Sequence, residues 1–302
     1  MAAGQLSDFS GFLSPAESAP IFDEAQRVSA FQQLFRRVPL GIAGQKIPIV
    51  TSKPTAGWVG ERGKKPVTDG GLGLLTMEPQ KLACIWVTSA EVVRANPGNI
   101  TGVMRQGMAE AFATAFDYAV GYNLGGDGTG TGPFDNYLAE TTKSVEIGTT
   151  TQANGGVHGD VVAGMKLLVA DGKKLTGFAL DDAVEPTLWG AVDTTGKPLY
   201  VELPTDTSSQ AIARPGRLLN RPSFMGEGVG NGTTVGFGGD FTKGAWGAVG
   251  GISYRVSTET AVTIGGTLTS LWEHNLVAVL AEAEYGFVLA DTEAFVKYTD
   301  AA

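Results

Sequence analysis

The sequence predicts an α+β fold organised around one long helix, and three stretches carry that expectation. From Asn99 to Gly132, residues Ile100, Met104, Met108, Phe112, Phe116 and Val120 recur every fourth position, with Ala111, Ala115 and Ala119 as a second row beside them. Asn96-Pro97 supplies a cap and a first-turn residue, and Gly125 is expected in the left-handed position just past the end. At ~1.5 Å per residue such a rod spans roughly 35 to 40 Å, the width of a domain, so it reads as a scaffold. The second stretch, Thr51 to Gln80, holds Pro54, Gly57, Gly60, Gly63, Pro66, Gly70, Gly71, Gly73 and Pro79 between two strand-like segments. The third runs from Leu276 to Ala281 and on through Tyr285, Phe287 and Leu289. It reads as a long, largely buried strand with Glu282 and Glu284 standing out on one face.

Taken in order, Met1 to Ala19 is rich in Ala, Gly, Ser and Pro and reads as an extended arm. Ser18 then caps an expected helix through Pro20, with Ile21, Phe22, Ala25, Val28, Phe31 and Phe35 on one face, ending near Arg36-Arg37. Val38 to Val50 suits an edge strand around Pro48. With Lys81 to Glu91, where Leu82, Cys84 and Trp86 alternate, it brackets a long two-stranded arm with a polar, glycine-rich tip. A hairpin of that length is marginal in water, so a partner should cover it. After the long helix, Gly125 to Gly132 is a chain reversal. A helix is expected over Asp160 to Ala170, closed by Gly172, with Val161, Val162, Met165, Leu168 and Val169 apolar. Leu175 to Leu180 reads as a buried strand, and Ala183 to Val192 as a short helix. Asp193 to Gly196 is a turn into Leu199-Tyr200-Val201. Thr205 to Gly239 carries little secondary-structure signal. Ala245 to Ala248 and Ile252 to Val256 look like paired strands, and Ala294 to Lys297 closes the chain.

With 302 residues, 43% of them hydrophobic, the chain can bury a sizeable core. Its 43 glycines are about twice the ~7% of ordinary usage, without a collagen period, and call for turns and bulges. The formal net charge is −9, and no basic tail appears, so gripping of phosphate backbones by a basic patch is excluded. The one cysteine, Cys84, sits between apolar neighbours, which fits a small buried residue and a reducing cytosol. No membrane-spanning run and no cationic leader occurs.

Motifs for chemistry are missing. His158 and His274 have no partners at metal-ligand spacing, and no Gly-x-Ser-x-Gly elbow occurs. The Gly125 to Gly132 loop follows a helix C-terminus, where the dipole is negative, and lacks the Lys-Ser/Thr of a phosphate loop. No cofactor and no metal is therefore expected. The charged tip Glu61-Arg62-Gly63-Lys64-Lys65, with Asp69, reads as a solvated loop whose need for a cover turns it toward a neighbouring subunit.

The order of parts resembles the HK97-like major capsid proteins of tailed bacteriophages. The residues that carry the resemblance are Leu124-Gly125-Gly126-Asp127-Gly128-Thr129-Gly130 after the spine helix, the strand Asn275 to Glu282, and Glu293-Ala294-Phe295-Val296-Lys297. Ala179 to Tyr200 and Gly239-Asp240-Phe241 fall in the expected order. The resemblance implies an N-terminal arm and helix (1–40), an extended loop (41–86), a peripheral domain with the spine helix (87–144 and 267–302) and a mixed axial domain (145–266). It implies a structural protein that is not an enzyme, assembling with itself as hexamers and pentamers into an icosahedral virion shell. The shell would form in the host cytoplasm and enclose double-stranded DNA without sequence-specific contact or any membrane. Scaffolding, portal and decoration proteins are the other partners implied. No long charged helical region precedes the arm, so a scaffolding segment is expected to be already cleaved, separate or unneeded. Some relatives join a loop lysine to an asparagine on the terminal strand, helped by a glutamate. Asn275 and Glu282 stand at those two positions, while Arg62 stands at the lysine position with Lys64 and Lys65 close by. The rival within the fold is an encapsulin-type nanocompartment shell, and the rival from another class is a Gly-rich α/β enzyme. Convergent titratable groups in a pocket would favour the enzyme.

Overall fold

A spine helix lies across a sheet in the computed structural model, which describes residues 29–50, 54–67, 71–95, 100–151, 155–191, 200–202 and 214–300. The expectations resting on residues 1–28, Asp69, Asn96-Pro97 and the 193–196 turn lie outside the described residues. The chain runs α1 (Ala30–Leu34), β1 (Arg36–Arg37), β2 (Gln45–Val50), β3 (Leu72–Met77), β4 (Gln80–Ser89), α2 (Ala90–Ala95) and α3, the spine (Ile100–Tyr122). There follow β5 (Ser144–Ile147), α4 (Gly156–Ala170), β6 (Gly177–Leu180), α5 (Glu185–Gly190), β7 (Tyr200–Glu202), β8 (Arg214–Leu218), β9 (Arg221–Met225) and β10 (Thr234–Gly239). The last part holds β11 (Gly244–Ala248), β12 (Ser253–Ser257), β13 (Ala261–Ile264), β14 (Thr267–Ser270), β15 (Leu276–Leu289) and β16 (Phe295–Asp300).

The spine forms because its apolar stripe has a core to enter. Met104, Met108, Phe112, Phe116 and Val120 are all buried, with Ala115 and Ala119 beside them. Ala111 is exposed, and Ala109 and Ala113 are buried in its place, because the core wraps the C-terminal half of the helix from both sides. The left-handed residue that ends the helix is Asn123, at φ 53°, rather than Gly125. Its side chain explains the choice: Asn123 Oδ1 accepts from Phe134 N at 3.0 Å, fastening the far side of the glycine loop. Gly125 N donates to Thr129 O, Gly132 N donates to Asn123 O, and the loop is a chain reversal as expected.

The first sheet is centred on β15, fourteen residues long. β4 runs antiparallel along one edge from Tyr285 to Leu276. On the other edge β11 and then β12 follow one another, each antiparallel to β15 rather than paired together as the sequence suggests. The spine and this sheet enclose an aromatic core in which Phe35 packs on Phe241 and Phe287 at 5.0 and 5.2 Å. Cys84 is half-buried against that core, and burial pushes its thiol pKa up.

The second sheet has the order β5-β16-β10-β6-β9-β8-β7, with α4 packed on it through Val161 and Leu168 against Val296 and Tyr298. Three strands, β8, β9 and β10, fill the stretch that carries little sequence signal. Gly238 and Gly239 of β10 look like loop residues, yet rings press on that backbone: a Cβ on Gly238 would meet Phe178 and Tyr298 at 3.1 Å. Two further boundaries move. α4 starts at Gly156, a turn before Asp160, and its Val169 is exposed. At the other end of the chain, α1 begins at Ser29, its N-cap, and Arg36-Arg37 already forms a strand parallel to β11.

Candidate assembly site

The expected arm is a two-stranded ribbon made by β2 and β3, in register from Gln45↔Met77 to Val50↔Leu72. Its second strand is β3 and not Lys81 to Glu91, which belongs to the body sheet as β4. Leu82 and Cys84 alternate because the spine lies under one face of β4. At the ribbon root, Leu40, Met77, Ala245 and Val288 form a small cluster of their own. Outward from it, Ile47 and Leu75 are half-buried on one face, while Val50, Leu72 and Leu74 on the other are exposed, up to 79% at Leu72.

The tip, residues 54–67, is wholly solvent-exposed. Gly63 N donates to Gly60 O at 2.9 Å, and the turn forces Arg62 to φ 67°, a conformation that an arginine seldom adopts. Glu61, Arg62, Lys64 and Lys65 therefore project from one tight turn, with the Trp58 indole bare beside them. Both a fixed turn and an uncovered tryptophan suit a docking element better than a passive loop.

Asn275 is exposed at φ 51°, in the turn between the β13–β14 hairpin and β15, where Asn275 O accepts from Ala90 N. Glu282 lies seven positions further on, six of them along β15, about 20 Å away at ~3.3 Å per residue. A single subunit cannot bring both to one lysine. Glu282 is engaged: it is ion-paired with Lys81 of β4, Arg255 stands 4.0 Å away, and the Lys81 hydrogen bond holds the carboxyl below its ordinary range. It is thus not a desolvated base in the lone subunit.

A cavity of about 350 Å³ gathers Lys81, Arg255, Glu282 and Glu284, but there Lys81 and Arg255 are the cations that already engage Glu282, and two other cavities are poorer in titratable groups. One of about 270 Å³, between the spine and the glycine loop, is lined mainly by Ala115, Phe116, Ala119, Leu124 and Phe134, with Lys81 and Tyr285 at its rim. Another of about 570 Å³ under the ribbon carries Lys173 already paired with Asp291. Among the described residues no group of three His, Cys, Asp or Glu could hold a metal ion, and no helix is long and apolar enough to cross a membrane.

Two buried carboxylates were not singled out from the sequence. Asp117 on the spine accepts from Ser29 Oγ at 2.6 Å, Ala30 N at 3.1 Å and Phe31 N at 3.4 Å, and so clasps the start of α1. Asp160 accepts from Gly148 N, Thr150 N and the Thr150 hydroxyl, and pins the β5–α4 loop. A sequence signal existed for Asp117, since an acid falls inside the apolar stripe.

The Phage capsid family matches residues 11–300. The chain is 44% identical over 298 residues to the probable major capsid protein gp17 of Mycobacterium phage D29, covering 97% of this chain and 91% of that one. It is 26% identical over 306 residues to the major capsid protein of Staphylococcus phage 80alpha, covering 96% and 86%. In fold it is similar to a solved chain of Gordonia phage Cozz, with TM-score 0.67, 23% identity and coverage of 91% and 87%. A solved chain of Mycobacterium phage Adephagia gives TM-score 0.68 at 16% identity, covering 100% and 99%.

Proposed function

The chain belongs to the phage capsid family and is a major capsid protein of a tailed phage, and from that premise we propose that its copies close as hexamers and pentamers into an icosahedral shell. The shell encloses double-stranded DNA without sequence-specific contact and is built in the host cytoplasm. The observation that carries this reading is the ribbon, whose apolar face and bare Trp58 find no cover among the described residues and call for one from a neighbour. Glu61, Arg62, Lys64, Lys65 and Asp69 are the residues that meet that neighbour. The spine with the sheet of β4, β11, β12 and β15 acts as the peripheral lobe and the second sheet with α4 as the axial lobe, so β11 and β12 leave the expected axial range 145–266 and β16 leaves the expected peripheral range 267–302. Scaffolding, portal and decoration proteins are the further partners of such a shell. A net charge of −9 keeps its wall from gripping the packed genome.

A covalent staple is the finer proposal. Lys64 or Lys65 of one copy gives a proton to Glu282, the free amine attacks the Asn275 side-chain amide, and ammonia leaves as the isopeptide forms. The spacing of Asn275 and Glu282 requires them to come from different copies, and Glu282 must first release Lys81. Denaturing gels of assembled particles test it: ladders losing one ammonia per link support it, and monomer alone rejects it.

The assembly reading is tested by electron microscopy of the purified protein with and without deletion of Thr55 to Leu72. The intact chain should give closed shells or rings, and the deletion should leave a folded subunit that forms none. Normal particles from the deletion would show that the ribbon is dispensable.

A further inference from the structure

β4 presents the longest open strand edge of the first sheet. One side of its ten residues is bonded to β15 throughout, and the other pairs with no described strand. Natural edges carry proline, bulges or clustered lysine to prevent pairing. This one has a continuous register, no proline, Lys81 alone and an exposed Ile85. The chain's own β3 leaves β4 at Glu78-Pro79 and lies in a separate sheet.

The ribbon has two edges, and only one can accept a strand. Pro48 of β2 has no N–H, a lack tolerated where the nitrogen faces away from the partner strand, so the outer edge of β2 is spoiled. Pro48 pairs with Leu74, which makes that a pair without mutual hydrogen bonds. Leu74 therefore turns its N–H and C=O outward, as do Leu72 and Thr76 two positions either side.

We propose that the free edge of β3 adds antiparallel to the free edge of β4 in a second copy of the chain. This rests on the capsid reading above and names how its subunits join. Direction follows from charge and space. Antiparallel addition carries the ribbon tip past Ser89 to the hairpin end of the second copy. There, Ser257 to Asn275 holds Glu259 and Glu273 and no lysine or arginine. The tip brings Arg62, Lys64 and Lys65 against one acid, Glu61, and bare Trp58 meets Trp272, 73% exposed. Parallel addition would drive the tip into the root of the second copy's own ribbon. The β2–β3 ribbon and the β13–β14 hairpin of a subunit are rooted at opposite ends of β15, about 43 Å apart at ~3.3 Å per residue, so the contact is head-to-tail and can close rings.

Site-resolved amide exchange on shells and on dissociated subunits tests it. The amides of Leu72, Leu74, Thr76 and alternate residues of β4 should slow at least tenfold in shells. Equal rates in both states would overturn the strand addition while leaving the capsid reading intact, whereas failure to form any shell would overturn both. Reversing the tip with Arg62→Glu, Lys64→Glu and Lys65→Glu should abolish assembly of a folded subunit, and adding Glu259→Lys and Glu273→Lys should restore it. No restoration would overturn the antiparallel placement.

Discussion

Asp117 is a carboxyl group that no cation among the described residues faces. It is 3% exposed, and its neighbours are the amides of α1, Ser29 and the 226–229 turn, whose Glu227 points to solvent. Burial pushes its pKa up from 3.8 to about 7, against the pull of the Ser29, Ala30 and Phe31 hydrogen bonds. When the clasp opens, the group returns to an ordinary carboxylate. The closed state therefore holds more protons than the open one between pH 3.8 and about 7, and closure weakens as pH rises through that window. Opening of α1 should grow by up to ~10-fold per pH unit there and level off above it. Amide exchange at Ala30 and Phe31, corrected for intrinsic rates, should show this slope, and Asp117→Asn should flatten it. An unchanged slope in the variant would assign the titration to another group. Glu293 has the opposite sign. Lys143 first and then Thr142 lower its pKa from 4.5 to about 2, so its support is present above pH 4.5 and is lost as pH falls toward 2.

At the level of elements, the ribbon stands only because its root crosses the sheet where side chains are missing. Gly247 of β11 and Gly286 of β15 are register partners, and a Cβ on Gly286 would meet Leu40 and Met77 at 2.8 Å and Glu78 O at 2.9 Å. Gly286→Ala should therefore lift the root, lower Tm by several degrees for a cost of about 1–3 kcal/mol, and reduce shell yield. Normal yield and Tm would show that the root tolerates the shift. The ribbon's existence was legible in Pro48 and the clustered Gly and Pro, and so was the spine in its fourfold apolar repeat. The partner strand was not. Leu82, Cys84 and Trp86 alternate as an arm strand would, and only the contact of their face with the spine assigns them to the body sheet. The β10 glycines misread as loop for a related reason: packing against Phe178, Phe295 and Tyr298 removes the side chains that would have signalled a strand. The Lys81 partner of Glu282 was not legible, because it lies two hundred residues earlier on the neighbouring strand.

For the whole molecule, two electrostatic effects oppose each other during assembly. Each subunit carries −9, so copies repel at long range, while the cationic tip attracts the acidic hairpin end of its neighbour at short range. Salt separates them. At ~0.01 M the screening length is about 30 Å and repulsion between whole subunits acts before contact; near ~0.1 M it is about 10 Å, which suppresses that repulsion but leaves groups a few ångströms apart still coupled. Near 1 M, at about 3 Å, the tip contact is screened too. The assembly rate followed by light scattering should therefore rise from ~0.01 M salt to a maximum near ~0.1–0.3 M and then fall. A tip-neutralised variant, with Arg62→Gln, Lys64→Gln and Lys65→Gln, should lose the falling branch, because it has no attraction left to screen. A rate that climbs steadily to 1 M in the unaltered chain would mean that apolar burial by Leu72, Leu74 and Trp58 governs encounter and that the tip charges do not.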